Sequence, residues 1–295
     1  MSSWNSREAM TMGRDRILQI CALAWDTLLQ ARRRWVLISL FILATLVLAF
    51  YAFAVSVERG GVDSEQLKVT FPFAHLASEM SPESFAHGMV MFVLGTNTFL
   101  GLFFFILAFA GFIPESIQKG SADLLLSKPV PRWLVISVKM VSISLIASLI
   151  ASYFFFGALV IVWAKSGYFA GEMIPAFLLS ILLFQPMVPL MALVGVASRS
   201  TPLAVVASIG AYIISALAFG AKRVDFSFTY EWIGGMMKGL YYGFPQLVGM
   251  QQSILAKVGE GRSSFETEPF IQSMILCAVY FALAIIIFQR KDYTS

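Results

Sequence analysis

Six runs along the chain contain no Asp, Glu, Lys, Arg or His: 35–57, 88–114, 140–164, 173–198, 200–221 and 269–289. Each meets the roughly 20 apolar residues that a helix needs to cross about 30 Å of hydrocarbon. The pattern predicts an all-α polytopic membrane protein, a single transmembrane domain over 1–295 with six transmembrane helices near 35–57, 88–113, 134–164, 174–197, 202–220 and 270–288. A seventh crossing inside 239–256 is rejected, because it would carry Pro245, Gln246, Gln251 and Gln252 and would strand Arg290 and Lys291 on the outer side.

The segments between the runs have patterns of their own. Before the first, Ile17, Ile20, Cys21, Ala24, Trp25, Leu28 and Leu29 recur at helical spacing, with Arg14, Arg16, Gln19, Asp26, Gln30 and Arg32 facing away. This predicts an amphipathic interfacial helix over 14–33, its Arg32, Arg33 and Arg34 set against anionic headgroups, serving either as an anchor or as a hold for a partner. Ser198-Arg199-Ser200-Thr201-Pro202 joins spans four and five as a tight antiparallel hairpin. Residues 58–87 read as an outer loop ending in Ser81-Pro82-Glu83, a helix cap with proline at the first helical position. The long outer loop 221–269 places Leu247, Met250, Ile254 and Val258 at helical spacing after Pro245, so two short helices are expected there, at or dipping into the outer interface.

Composition narrows the class. With 58% hydrophobic and 13% charged residues and a mean hydropathy of +0.79, the chain is not a soluble domain. The first apolar run is too long, and too far from the start, for a secretory signal. Two cysteines, Cys21 and Cys277, make no disulfide framework. With both termini on one side, 13 of the 21 Lys and Arg fall on that side and 11 of the 17 Asp and Glu on the other, which places both termini in the cytoplasm.

Catalytic chemistry is missing from the pattern. His75 and His87 stand without a metal or nucleophile motif, no catalytic residue and no metal ligand set is assigned, and no ionisable group lies within the runs to bind a coupling ion. No GxxxxGK[ST] phosphate loop occurs either. A nucleotide-hydrolysing partner would supply the energy for transport.

The loop between spans two and three carries the specific signal: Glu115-Ser-Ile-Gln-Lys-Gly120-Ser-Ala-Asp-Leu124-Leu125-Leu126-Ser127-Lys-Pro129-Val-Pro-Arg132, then Lys139. Glycine to turn, prolines to stop and restart a short helix, and an apolar Leu124–Leu126 face together suit a helix received in a groove. This loop resembles that of the membrane subunits of ATP-binding-cassette transporters of the ABC-2 superfamily. Their pattern of an acid, a glycine about five residues on, a Leu-Leu-Ser-x-Pro run, an arginine and a lysine at the base of the third helix falls here on Glu115, Gly120, Leu125, Ser127, Pro129, Arg132 and Lys139. Pro131 stands where the family tolerates many residues. The layout and the Phe-x-Arg-Lys-Asp tail at 288–292 are also similar, and within the superfamily the chain looks most like permeases of the nitrous-oxide-reductase-maturation type.

The resemblance implies a permease subunit in the bacterial cytoplasmic membrane, more an exporter than an importer. It binds a separate ATPase at a coupling loop over 115–132, and holds no cofactor itself, ATP and Mg sitting on the partner. Six spans enclose little, so a homodimer is expected, a related heterodimer being the other arrangement. The surroundings are membrane lipids, with no nucleic acid. Polar residues within the runs nominate a translocation path, Thr96, Asn97 and Thr98 in span two and Gln185 in span four, beside prolines 186 and 189 that should kink the helix. Ser142, Ser144, Ser148 and Ser152 read as close helix packing. A membrane scaffold that only holds partners, and a lipid-processing enzyme, are the rival classes. ATPase activity stimulated by a substrate, or lipid turnover by the chain alone, would separate them.

Overall fold

A computed structural model describes residues 2–33, 35–59, 67–71, 76–117, 131–169, 171–226, 230–259 and 265–291. Helix α1 (Ser2–Arg33) turns into α2 (Val36–Ala54) at Trp35, whose backbone is left-handed with φ 60°. The reversal is closed by Trp35 N–H donating to the Arg32 carbonyl at 3.0 Å. α1 presents three faces. Thr27 and Ala31 are buried against the protein, Ile20, Trp25 and Leu28 remain exposed on the apolar stripe, and Asp26 lies in the exposed polar sector. One face on protein, one apolar and one polar is the make-up of a helix suited to an interface.

Six helical segments among the described residues are long and apolar enough to cross a membrane. Four of them, 82–116, 132–166, 201–223 and 268–290, extend beyond their charge-free runs, because caps and long charged side chains can occupy the terminal turns. Span one is α2. Span two comprises α3 (Pro82–Thr96), a π-helical segment (Asn97–Gly101), α4 (Leu102–Phe109) and α5 (Phe112–Ser116). Span three is α6 (Arg132–Ser166), closed by Gly167 at φ 70°, where a Cβ would be strained. Span four is split into α7 (Ile174–Leu182) and α8 (Met187–Ser198), the break falling just before Pro186 and Pro189. Span five is α9 (Thr201–Arg223). The short helices α10 (Glu231–Gly243) and α11 (Leu247–Gly259) follow, then span six, α12 (Glu268–Arg290).

Between spans one and two the sequence reading has only a loop, whereas the structure has a three-stranded antiparallel sheet: β1 (Ser56–Arg59), β2 (Leu67–Phe71) and β3 (Leu76–Met80), paired in that order. Its register sets Ser56 opposite Thr70 and Leu67 opposite Met80. Strands of four or five residues give too few alternations for a period of two to stand out. Only β2, with Leu67, Val69 and Phe71 alternating with Lys68 and Thr70, carries that signature, and Val69 is buried.

Packing is organised around spans three and four. α8 lies against α9 and α12, and α6 against α1, α2, α3 and α12. Span five approaches closely because its inner face is small: Ala204, Ser208, Ala211, Ser215, Ala218 and Ala221 are all buried. Lipid tails are as apolar as leucine, so contact between spans depends on such close fit rather than on hydrophobic exclusion. Gly157 serves the same purpose, since a Cβ there would lie 2.6 Å from Leu48 Cδ1 of span one. The stripe Leu247, Met250, Ile254 and Val258 is buried, and α11 seats among α3, α7 and α9. It is pinned by Val248 N–H donating to Ser215 Oγ at 3.2 Å and Gln251 Nε2 to the Gly95 carbonyl at 3.4 Å.

The two ends of the bundle differ. At the sheet end, Lys222 Nζ meets Glu268 Oε2 at 2.6 Å and Tyr241 Oη at 2.9 Å. Partial burial raises the Tyr241 phenol above its ordinary pKa, against the pull of the Lys222 ammonium. The ion pair is part-exposed, so it adds about 1 kcal/mol or less and mainly orients α10 over spans five and six.

Candidate functional site

At the α1 end, α5 places Glu115 at the close of span two, and Arg132 and Lys139 open span three. Pro114 of α5 sits on Gly195 of α8, where an added Cβ would come within 2.7 Å of Pro114 Cγ. Spans two and four therefore touch backbone to ring at this end. Lys139 is buried and its ammonium donates to Gln30 Oε1 of α1 at 3.1 Å, tying α1 to span three. Arg132 Nη1 donates to the Lys291 carbonyl at 3.3 Å, and Lys291 Nζ donates to the Val196 carbonyl at 3.2 Å and to that of Ala197.

The last four carbonyls of a helix lack intrahelical partners, and a cation there is favoured by the helix dipole. Lys291 supplies one to span four, so the tail of span six and the first residue of span three are joined at the span-four to span-five hairpin. That hairpin turns at Arg199, φ 56°, and restarts with Ser200 Oγ accepting from Leu203 N–H at 3.5 Å. The loop residues Gly120, Leu124, Leu125, Leu126, Ser127 and Pro129 lie outside the described residues. The sequence reading does not reach Lys291 or Gln30 as partners. Their only signal is polarity beside an apolar run, which does not say what they touch.

The second feature is a cavity of about 110 Å³ between spans one, two and three, closed at the back by Phe184 of span four. Span one contributes Leu40, Leu43, Ala44, Val47 and Tyr51, and span three Ala147, Ile150, Ala151 and Phe154. Span two lines it with Thr96, Asn97, Leu100, Gly101, Phe104, Phe105 and Phe109. Tyr51 Oη and Thr96 Oγ1 form a short hydrogen bond, and Thr96 Oγ1 is also placed to donate to the Phe92 carbonyl at 2.8 Å.

Asn97 opens the π-helical segment, a geometry that inserts one residue into a helix and is found often at functional sites. Its side chain lies back over Gly101, where a Cβ would stand 2.7 Å from Asn97 Oδ1. Among the described residues the Asn97 amide makes no hydrogen bond. The four polar candidates thus divide. Thr96 and Asn97 border the cavity. Thr98 is buried and donates to the Leu94 carbonyl at 2.9 Å, and Gln185 Nε2 donates to Ser148 Oγ at 3.0 Å, one helix fastening another.

Among the described residues no group of His, Cys, Asp and Glu is placed to hold a metal ion. His87, at the entrance to span two, has Nδ1 2.9 Å from the Glu83 carbonyl. A family model for "ABC-2 family transporter protein" matches residues 18–225, from α1 through span five. No curated protein matches the chain.

Proposed function

The chain belongs to the ABC-2 family of transporter proteins, a permease subunit by that membership, and from this premise we propose that it exports a substrate across the bacterial cytoplasmic membrane using ATP hydrolysed by a separate subunit. The observation that carries the reading is the gathering of Glu115, Arg132 and Lys139 at one end of the bundle, bracketing the 118–130 segment with the tail of span six and the α1 helix fastened beside it. A force applied to that segment by a cytoplasmic ATPase would be transmitted to spans two, three, four and six together. ATP and Mg reside on the ATPase; this chain's part is to hold it and to move. Two copies of the permease form the path between them, and Thr96 and Asn97 lie on the way into it from each copy.

The test is reconstitution. The purified chain should neither bind nor hydrolyse ATP, while its complex with the ATPase should turn over ATP faster when substrate is present. Hydrolysis by the chain alone, after removal of every partner, would end the division of labour.

Orientation has its own check. Ser64→Cys and Ser264→Cys are expected to react with an impermeant thiol reagent added outside cells, and Ser121→Cys is not. Labelling of the Ser121 variant from outside would invert the topology.

A further inference from the structure

The cavity beside Asn97 has its polar groups at one end only. Tyr51, Thr96 and Asn97 stand toward the sheet end, and below them the walls are aliphatic and aromatic as far as Leu40 and Phe109. Leu40 and Tyr51 are eleven residues apart on one helix, which at 1.5 Å per residue makes the groove about 16 Å long. It is narrow as well. Its 110 Å³ is less than the roughly 150 Å³ of an engineered apolar cavity that holds one benzene. A long, thin, apolar slot of that volume seats a short stretch of an extended alkyl chain rather than a compact molecule.

The slot is also open to the side, for Leu40, Leu43, Leu100 and Ile150 on its walls are each partly exposed. Asn97 supplies the independent indication of a ligand. An amide held at membrane depth without a partner is unfavourable, yet the π-helical turn and the absence of a Cβ at Gly101 keep it over the slot.

We propose that this cavity binds the apolar chain of an amphiphile entering sideways from the bilayer, with a hydrogen-bonding group of that molecule meeting Asn97 beside the Tyr51–Thr96 pair. Resting on the transport reading, it makes the cargo a single-chain amphiphile rather than an ion or a sugar.

The test uses the full chain in phosphatidylcholine nanodiscs doped with a long-chain fatty acid that carries a diazirine at mid-chain. After irradiation, labelled residues are mapped by mass spectrometry. Label is expected to concentrate on Leu43, Val47, Leu100 and Phe104, well above Leu145, Leu149 and Leu217, which also face outward. Ala151→Phe, which fills the slot, should bring the four to the level of the outward-facing set. Asn97→Leu should lower them about fivefold, the loss of one hydrogen bond.

Leucine is at home in a membrane helix, and unchanged labelling at Leu217 reports that each variant remains folded. Label spread evenly over all outward residues means ordinary contact with lipid and overturns the proposal. So does a disulfide between copies in Leu43→Cys or Leu100→Cys under oxidation, which would set the slot's open side against a second copy rather than the bilayer. No ATPase is needed, so failure here leaves the partner-driven reading standing, and failure to co-purify an ATPase leaves the binding site standing.

Discussion

Leu125→Asp is expected to release the ATPase subunit from the complex altogether. If Leu124, Leu125 and Leu126 seat in a groove of the partner, aspartate at the central position buries a charge with nothing to pair it. That penalty is about 3 to 5 kcal/mol, enough to weaken docking by roughly two to four orders of magnitude. Glu115→Gln is the milder companion. Removing one charge near the surface is worth about 1 kcal/mol or less, so the complex should hold while transport falls further than ATP hydrolysis. Co-purification stoichiometry and substrate-stimulated turnover, measured beside the parent, decide both. A Leu125→Asp complex at full stoichiometry and normal transport would remove the 115–132 loop from the coupling mechanism.

The second large effect is structural. Gly195→Val is expected to destabilise the bundle by about 3 kcal/mol, at the upper end for overpacking, because the Pro114 ring that meets the new side chain has no rotamer to retreat into. Gly195→Ala should show the same effect in smaller degree, its Cβ alone falling within 2.7 Å of Pro114 Cγ. Gly210→Ala is the control, as nothing lies within 4 Å of its Cβ position. Thermal unfolding in detergent should place Gly195→Val roughly 5 °C or more below the parent. A midpoint within one degree of the Gly210→Ala control would mean that spans two and four do not meet at this point.

What was legible in the sequence follows from the strength of each physical signal. A membrane span excludes charge over twenty or more residues, so six of them stand out in any reading. The buried stripe of α11, Leu247 to Val258, shows for the same reason: it repeats over several turns. The Ser81-Pro82 cap is local chemistry, and Ser81 Oγ accepts from Ser84 N–H at 3.2 Å.

The sheet at 56–80 has strands too short to average over. The π-helical segment depends on hydrogen-bond register, which no residue type dictates. Thr96, Asn97, Thr98 and Gln185 give one and the same signal, a polar residue in an apolar run, and only the helix face decides that two border the cavity, while Thr98 bonds back to its own helix and Gln185 fastens span four to span three. Lys291 and Gln30 act through partners 94 to 109 residues away in sequence.

The small sheet has a mechanical consequence. β1 leaves span one after a single residue, Val55, and β3 enters span two after a single residue, Ser81, so the pair of spans is riveted at that end by three hydrogen-bonded strands. Lys165 of span three adds a bolt, its ammonium donating to the Val55 carbonyl. Joined at that end, α2 and α3 are held at a fixed separation there. Any widening between spans one and two has to be taken up below the rivet, and the wide turn at Asn97–Gly101 is the compliant joint where the lower half of span two can bend away from span one.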